Sequence, residues 1–133
     1  MDRDTCIIYI GSRYTVEWYY DRAGKSPGHE YFLETTEKQQ KKFTDLVKEI
    51  ADTDDGKIID KKKFRYEGDQ IYAFKSNANR YLSFFVHGGK IIVTNGFVKK
   101  TDKLPITEKE RAERLKQDYI NRNKEGSYYG NAV

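Results

Sequence analysis

Three short apolar runs, at residues 71–75, 81–86 and 91–98, constrain this chain more than any other feature of its sequence. They are rich in β-branched and aromatic residues, which suit a pleated, half-buried surface. The links between them, Ser76-Asn77-Ala78-Asn79 and His87-Gly88-Gly89-Lys90, are short and polar. A parallel crossover needs about a dozen residues, so links of this length join antiparallel neighbours. The runs are expected to form a three-strand meander. Period-2 alternation places Leu82, Phe84 and Val86 on one face, with Arg80 at its edge. The same rule groups Ile91, Val93, Asn95, Phe97 and Lys99.

Helical signals flank the meander. Thr36 with Gln39 three residues on is a capping box, and Phe43, Leu46, Val47 and Ile50 then recur at i, i+3, i+4 and i+7. Asp54-Asp55-Gly56 ends that helix. Ser26-Pro27 announces a shorter one carrying Tyr31, Phe32 and Leu33, with Ser26 as N-cap and Pro27 at the first helical position. After Pro105, Thr107 and Glu110 repeat the capping pattern, and Ala112, Leu115 and Tyr119 give the last helix a thin apolar stripe. Residues 6–10 and 14–20, interrupted by Gly11-Ser12, read as a strand pair or as one strand with an N-terminal extension. From Asn123 the composition is that of turns, which predicts a flexible tail over residues 123–133. The expected architecture is one α+β domain over residues 1–133, its core at about 14–122: N-terminal strand, two helices, antiparallel three-strand meander, C-terminal helix.

Charge narrows the choice of partner. The chain has 25 Lys and Arg against 21 Asp and Glu, a net of +4. Between residues 57 and 65, Lys57, Lys61, Lys62, Lys63 and Arg65 face only Asp60, so this window carries the whole excess. Such a focus attracts polyanions. A lone Cys6 forms no internal disulfide, which fits a reducing compartment. The apolar patch at residues 6–10 is too short for a secretory signal. Nor does any run approach the ~20 apolar residues of a spanning helix. A cytoplasmic protein without a membrane partner is expected.

Several chemistries find no support. Cys6, His29 and His87 lack the spacings that zinc requires, and no other cofactor is expected. Asp52-Thr53-Asp54-Asp55-Gly56 has a misplaced glycine for a calcium loop and reads as an acidic helix end. Cys6 sits in an apolar strand, and no Gly-x-Ser-x-Gly elbow occurs. What remains is a set of cations along the meander: Lys75, Arg80, Lys99 and Lys100. In an antiparallel pair Lys75 and Arg80 converge across the turn at 76–79, and a phosphate suits the gap between such cations.

Longer motifs carry a resemblance. Tyr14-Thr15-Val16-Glu17-Trp18-Tyr19-Tyr20-Asp21, Lys25-Ser26-Pro27 and Tyr31-Phe32-Leu33 resemble the opening of phage-derived HigB-like toxins of the RelE superfamily. Arg80-Tyr81-Leu82-Ser83-Phe84-Phe85-Val86 is similar to a strand of that family. Asn95-Gly96-Phe97-Val98-Lys99-Lys100-Thr101-Asp102-Lys103-Leu104-Pro105 is similar to its most characteristic segment. The likeness runs from about Tyr14 to Arg122.

The resemblance implies a sheet with two helices packed on it, and an endoribonuclease that cuts ribosome-bound messenger RNA without a metal. It also implies a cognate antitoxin, often a helix-turn-helix protein, that holds the toxin inactive. Carried over by position, catalysis would fall on Lys75, Arg80, Lys99 and Lys100, and RNA-backbone binding on Lys61, Lys62, Lys63 and Arg65. Asn95 stands where the family usually has histidine, and Lys75 where an arginine is common. The tyrosine that completes the site in relatives has its candidates in Tyr119, Tyr128 and Tyr129. A gyrase-inhibiting toxin of the ParE kind and a non-catalytic basic nucleic-acid-binding module are the alternative readings.

Overall fold

A computed structural model describes residues 1–54 and 59–130, and among them the chain forms six strands and three helices. In chain order these are β1 (Ile7–Ile10), β2 (Thr15–Trp18), α1 (Pro27–Glu34), α2 (Glu37–Ala51), β3 (Phe64–Tyr66), β4 (Tyr72–Ser76), β5 (Asn79–Val86), β6 (Lys90–Val98) and α3 (Ile106–Lys124). Asp55, Gly56 and Lys57, used above for the helix end and the basic window, lie outside the described residues, as do residues 131–133 of the tail.

The two N-terminal helices start where their caps predict. The Ser26 side chain accepts from the His29 amide, with Pro27 opening α1. Thr36 and Gln39 exchange both bonds of a capping box at α2. Phe43, Leu46, Val47 and Ile50 are all buried. At about 1.5–3 kcal/mol for each fully buried side chain, that stripe outweighs any cap as the reason α2 docks. The last helix departs from expectation. It begins at Ile106 after an extended Pro105, with no side-chain cap, so Thr107 lies inside its first turn. The fixed φ of proline sets the entry to the helix instead.

The sheet has the order β1-β2-β6-β5-β4-β3. The meander β4-β5-β6 is antiparallel throughout, and β2 joins β6 in parallel. The N-terminal region is a strand pair, β1 against β2. β3 was not anticipated, because a three-residue strand within a run of charges carries no alternation to detect.

Helices cover both faces of the sheet. One face presents Phe74, Tyr81, Val16, Trp18, Ile91 and Val93 to the α2 stripe. The other presents Ala73, Leu82, Phe84, Ile92 and Phe97 to Ala112 and Tyr119 of α3. Leu82, Phe84 and Arg80 thus share a face as alternation requires. The grouping of residues 91, 93, 95, 97 and 99 does not hold. Leu82 pairs with Asn95 but Ser83 pairs with Val93, which leaves Thr94 as the extra residue of a bulge. One inserted residue sends everything after it to the opposite face. Ile91 and Val93 therefore face α2, while Asn95 and Phe97 turn towards α3.

Polar contacts finish the α3 layer. The Tyr19 hydroxyl donates to Asp118, and buried Arg122 donates to the Tyr20 carbonyl and to Asp118 at 2.8 and 2.7 Å. The segment after α3 is not a free tail where it is described. Tyr128 is 2% exposed. Its hydroxyl accepts from the Tyr20 amide and its carbonyl accepts from the Tyr20 hydroxyl. Tyr129 donates to buried Glu17 at 2.9 Å. Turn-forming residues there return two large rings to the core, a long-range effect invisible to local composition.

Candidate active site

Strand register brings the end of β4, the start of β5 and the end of β6 to one place. Lys75 is the direct partner of Arg80, and Arg80 of Phe97. The intervening turn is tight because Asn77 takes φ 56°, in the left-handed region that asparagine tolerates. The Arg80 guanidinium folds over this turn. Its Nη1 donates to the Asn77 carbonyl and, at 3.0 Å, to that of Asn79. The Lys99 amide donates to the Ala78 carbonyl at 2.7 Å, setting Lys99 beside the same turn.

These residues wall a cleft of about 240 Å³ with Ala73, Phe97, Leu104 and Pro105 as its apolar lining. Arg65 from β3 and Lys103 from the segment before α3 complete the cationic wall, and Glu67 and Asp102 are the acids. Five cations therefore meet two carboxylates. Arg65 Nε lies 3.5 Å from Glu67 Oε1. Among the described residues Lys75, Arg80 and Lys99 have no ion-pair partner.

Burial, followed by the charges of Arg80, Lys99 and Arg65, pushes the Lys75 ammonium below the usual lysine value. Burial also lowers Arg80, with Glu67 acting in the opposite sense. A guanidinium stays protonated regardless, so Arg80 is a permanent charge while Lys75 is a more acidic ammonium than an ordinary lysine. Crowded cations of this kind are relieved by a bound anion, and a planar guanidinium can grip two oxygens of a phosphate.

The residues expected to catalyse cleavage and those expected to hold RNA divide. Lys75, Arg80, Lys99 and Arg65 line the cleft, whereas Lys100 does not. Lys61 and Lys62 are exposed and also lie off the cleft, and Lys63 is paired with Glu49 of α2 at 2.8 Å. Lys61, Lys62 and Lys63 lie in the turn before β3, closed by bonds from the Lys63 and Phe64 amides to the Asp60 carbonyl. Within β3 the pleat turns Phe64 to α2 and its neighbour Arg65 to the other side, where the cleft lies. None of Tyr119, Tyr128 and Tyr129 lines the cleft. Asn95 is fully buried and donates through Nδ2 to the Glu108 carbonyl and carboxylate, at 3.2 and 3.0 Å. It ties β6 to the first turn of α3. Glu67, Asp102 and Lys103 were not singled out from the sequence. Lys103 was within reach of the reading, two residues before Pro105 in the characteristic segment. Glu67 had no signal beyond its place before a glycine.

Away from the cleft the reactive residue types are quiet. Burial and Glu17 push the Cys6 thiol up to about 12, so it stays protonated. His29 packs on Trp18. Among the described residues no three His, Cys, Asp or Glu side chains converge as a metal site would require, and no helix is long and apolar enough to cross a membrane.

Residues 30–117, more than half of the chain, match the family model described as "Phage derived protein Gp49-like (DUF891)". The matched span contains every residue that lines the cleft. No curated protein matches the chain.

Proposed function

This chain belongs to the phage-derived Gp49-like family, and from that premise we propose that it is the toxin of a toxin–antitoxin system and cuts messenger RNA in the cationic cleft. The family is often associated with toxins of the RelE and HigB kind. The observation that carries the reading is the meeting of Lys75, Arg80 and Lys99, without ion-pair partners among the described residues, in a cleft that Glu67 also lines.

The chemistry needs few parts. The ribose 2′-hydroxyl attacks the adjacent phosphorus, and its proton passes to a base. The P–O5′ bond breaks as the 5′-oxygen takes up a proton. The products are a 2′,3′-cyclic phosphate and a 5′-hydroxyl. DNA, lacking the 2′-hydroxyl, has no internal nucleophile. In this reading Arg80 and Lys99 stabilise the charge that builds on the phosphoryl oxygens. Glu67 accepts the 2′-hydroxyl proton. Lys75, acidified by burial and by its cationic neighbours, protonates the leaving 5′-oxygen. Arg65 and Lys103 hold the flanking phosphates. Translated message on the ribosome is the substrate, and a cognate antitoxin, a helix-turn-helix protein, restrains the enzyme.

The test is to induce the chain in cells and map the 5′ ends of translated messages, alongside cleavage of an RNA carrying a single 2′-deoxyribose at the cut. New 5′-hydroxyl ends and resistance of the deoxy substrate are expected. Intact messages together with blocked gyrase supercoiling would overturn the reading.

A further inference from the structure

The link between β3 and β4 has the most unusual backbone among the described residues. Gly68, Asp69 and Gln70 in succession take φ of 90°, 53° and 66°. Positive φ is uncommon outside glycine, and a run of it persists only where the surroundings hold it. Two backbone bonds close the link from within: Glu67 N–H to the Ile71 carbonyl at 2.8 Å, and Ile71 N–H to the Gly68 carbonyl at 2.9 Å. The Gln70 amide donates to the Tyr66 hydroxyl at 3.3 Å.

From outside, α3 grips the same link. Lys109 Nζ donates to Asp69 Oδ2 at 2.7 Å, with the lysine side chain 26% exposed. A Cβ on Gly68 would stand 3.1 Å from that ammonium, so the missing side chain makes room for it. Glu113 and Lys116 also act on Asp69, yet the Lys109 bond dominates in holding its carboxyl below the usual range. Lys109 belongs to the first turn of α3, its amide bonded to the carbonyl of Pro105, which lines the cleft. The grip therefore joins one wall of the cleft to the other. The residue delivered at its end is half-buried Glu67.

We propose that the Lys109–Asp69 pair is a positioning clamp: it holds the β3–β4 link in its left-handed form and so keeps the Glu67 carboxylate turned to the cations of the cleft. The proposal rests on the nuclease reading only for what Glu67 does there. An isolated surface ion pair contributes little. This one differs in spanning 40 residues and fastening a contorted loop.

Hydrogen exchange at the Glu67 and Ile71 amides tests the clamp without reference to activity, with the Tyr19 amide, bonded to the Val93 carbonyl, as the global control. In Lys109→Met, exchange at residues 67 and 71 is expected to quicken by about tenfold or more while Tyr19 is unchanged. The double exchange Lys109→Asp with Asp69→Lys should restore protection. On RNA, Lys109→Met should lose about 10–100-fold in kcat with KM nearly constant, as misplacement of a reacting group does, and the double exchange should recover it. Unchanged loop exchange in Lys109→Met, or unchanged kcat in a variant of a parent that cleaves, would overturn the clamp. A responsive loop in a protein that cuts no RNA would support the clamp and defeat the nuclease reading.

Discussion

Lys75 and Arg80 stand directly opposite one another on paired strands, two cations in register, and among the described residues neither has an ion-pair partner. Like charges opposed across a ladder destabilise a sheet. A fold that keeps them so gains from an anion bound there, and that gives the pair opposite effects on stability and on function.

Replacing Lys75 by methionine removes one charge and keeps the stem. RNA cleavage is expected to fall by about 10²–10⁴, the usual contribution of one positioned proton donor. The melting temperature should rise, because burial and cationic neighbours both penalise the charge that is removed. A parallel fall in activity and melting temperature would mean that Lys75 is structural.

The pH dependence follows from the same residue. The folded pKa of Lys75 lies below its ordinary value of 10.5. Its charge thus opposes folding in full below the folded pKa, and the penalty fades as pH rises from there towards 10.5. Affinity for RNA runs the other way and should fall as pH rises through the lowered pKa, since the anion needs the ammonium. Removing a neighbouring charge by Lys99→Met should move this alkaline limb upward, measured as RNA affinity against pH at fixed ionic strength.

Gly96, within the Gly-Phe-Val-Lys-Lys-Thr segment, owes its identity to packing. A Cβ there would meet the Tyr31 ring at 2.6 Å and the Tyr81 ring at 2.9 Å. Neither ring can swing aside, as Tyr31 is bonded to Asn79 and Tyr81 is stacked on Phe43. Gly96→Ala is expected to cost about 1–3 kcal/mol of unfolding free energy in urea titration, the range for overpacking.

Asn95→Ala should also destabilise, by about 1–3 kcal/mol, since it strips a fully buried side chain of its bonds and leaves the Thr94 hydroxyl with one acceptor fewer. Chemical denaturation reports the loss. A result near zero would show that Asn95 does not tie β6 to α3.

Deleting residues 127–133 distinguishes a packed end from a tail. Loss of the buried Tyr128 ring, tilted against Tyr20 at 4.5 Å between centroids and covered by the Arg122 guanidinium, should cost about 3–5 kcal/mol, as for other buried aromatic rings. A free tail would leave the melting curve unmoved.

Much of this was legible at the level of single elements. Thr36 and Gln39 mark a helix start through bonds that close within four residues, and the stripe from Phe43 to Ile50 identifies the buried side of α2. The convergence of Lys75 and Arg80 also follows from local facts, a short link and antiparallel pairing. Lys99 was grouped with the wrong strand face, because the bulge at Thr94 leaves no mark in composition. Arg65 and Glu67, from β3 and its end, and Lys103, from the segment before α3, enter the cleft from two distant segments whose proximity depends on how β3 and α3 flank the meander.

The sequence by itself determined the three helices, the three meander strands, the buried stripe of α2, and that two cations meet at one turn. These depend on interactions only a few residues apart, where periodicity and capping act directly. Only the tertiary structure decided the parallel pairing of β2 with β6, the face presented by the end of β6, the burial of Tyr128 and the company that Lys75 and Arg80 keep. Each of those is set by register and packing between distant segments, and at β6 the one extra residue is enough to reverse the face.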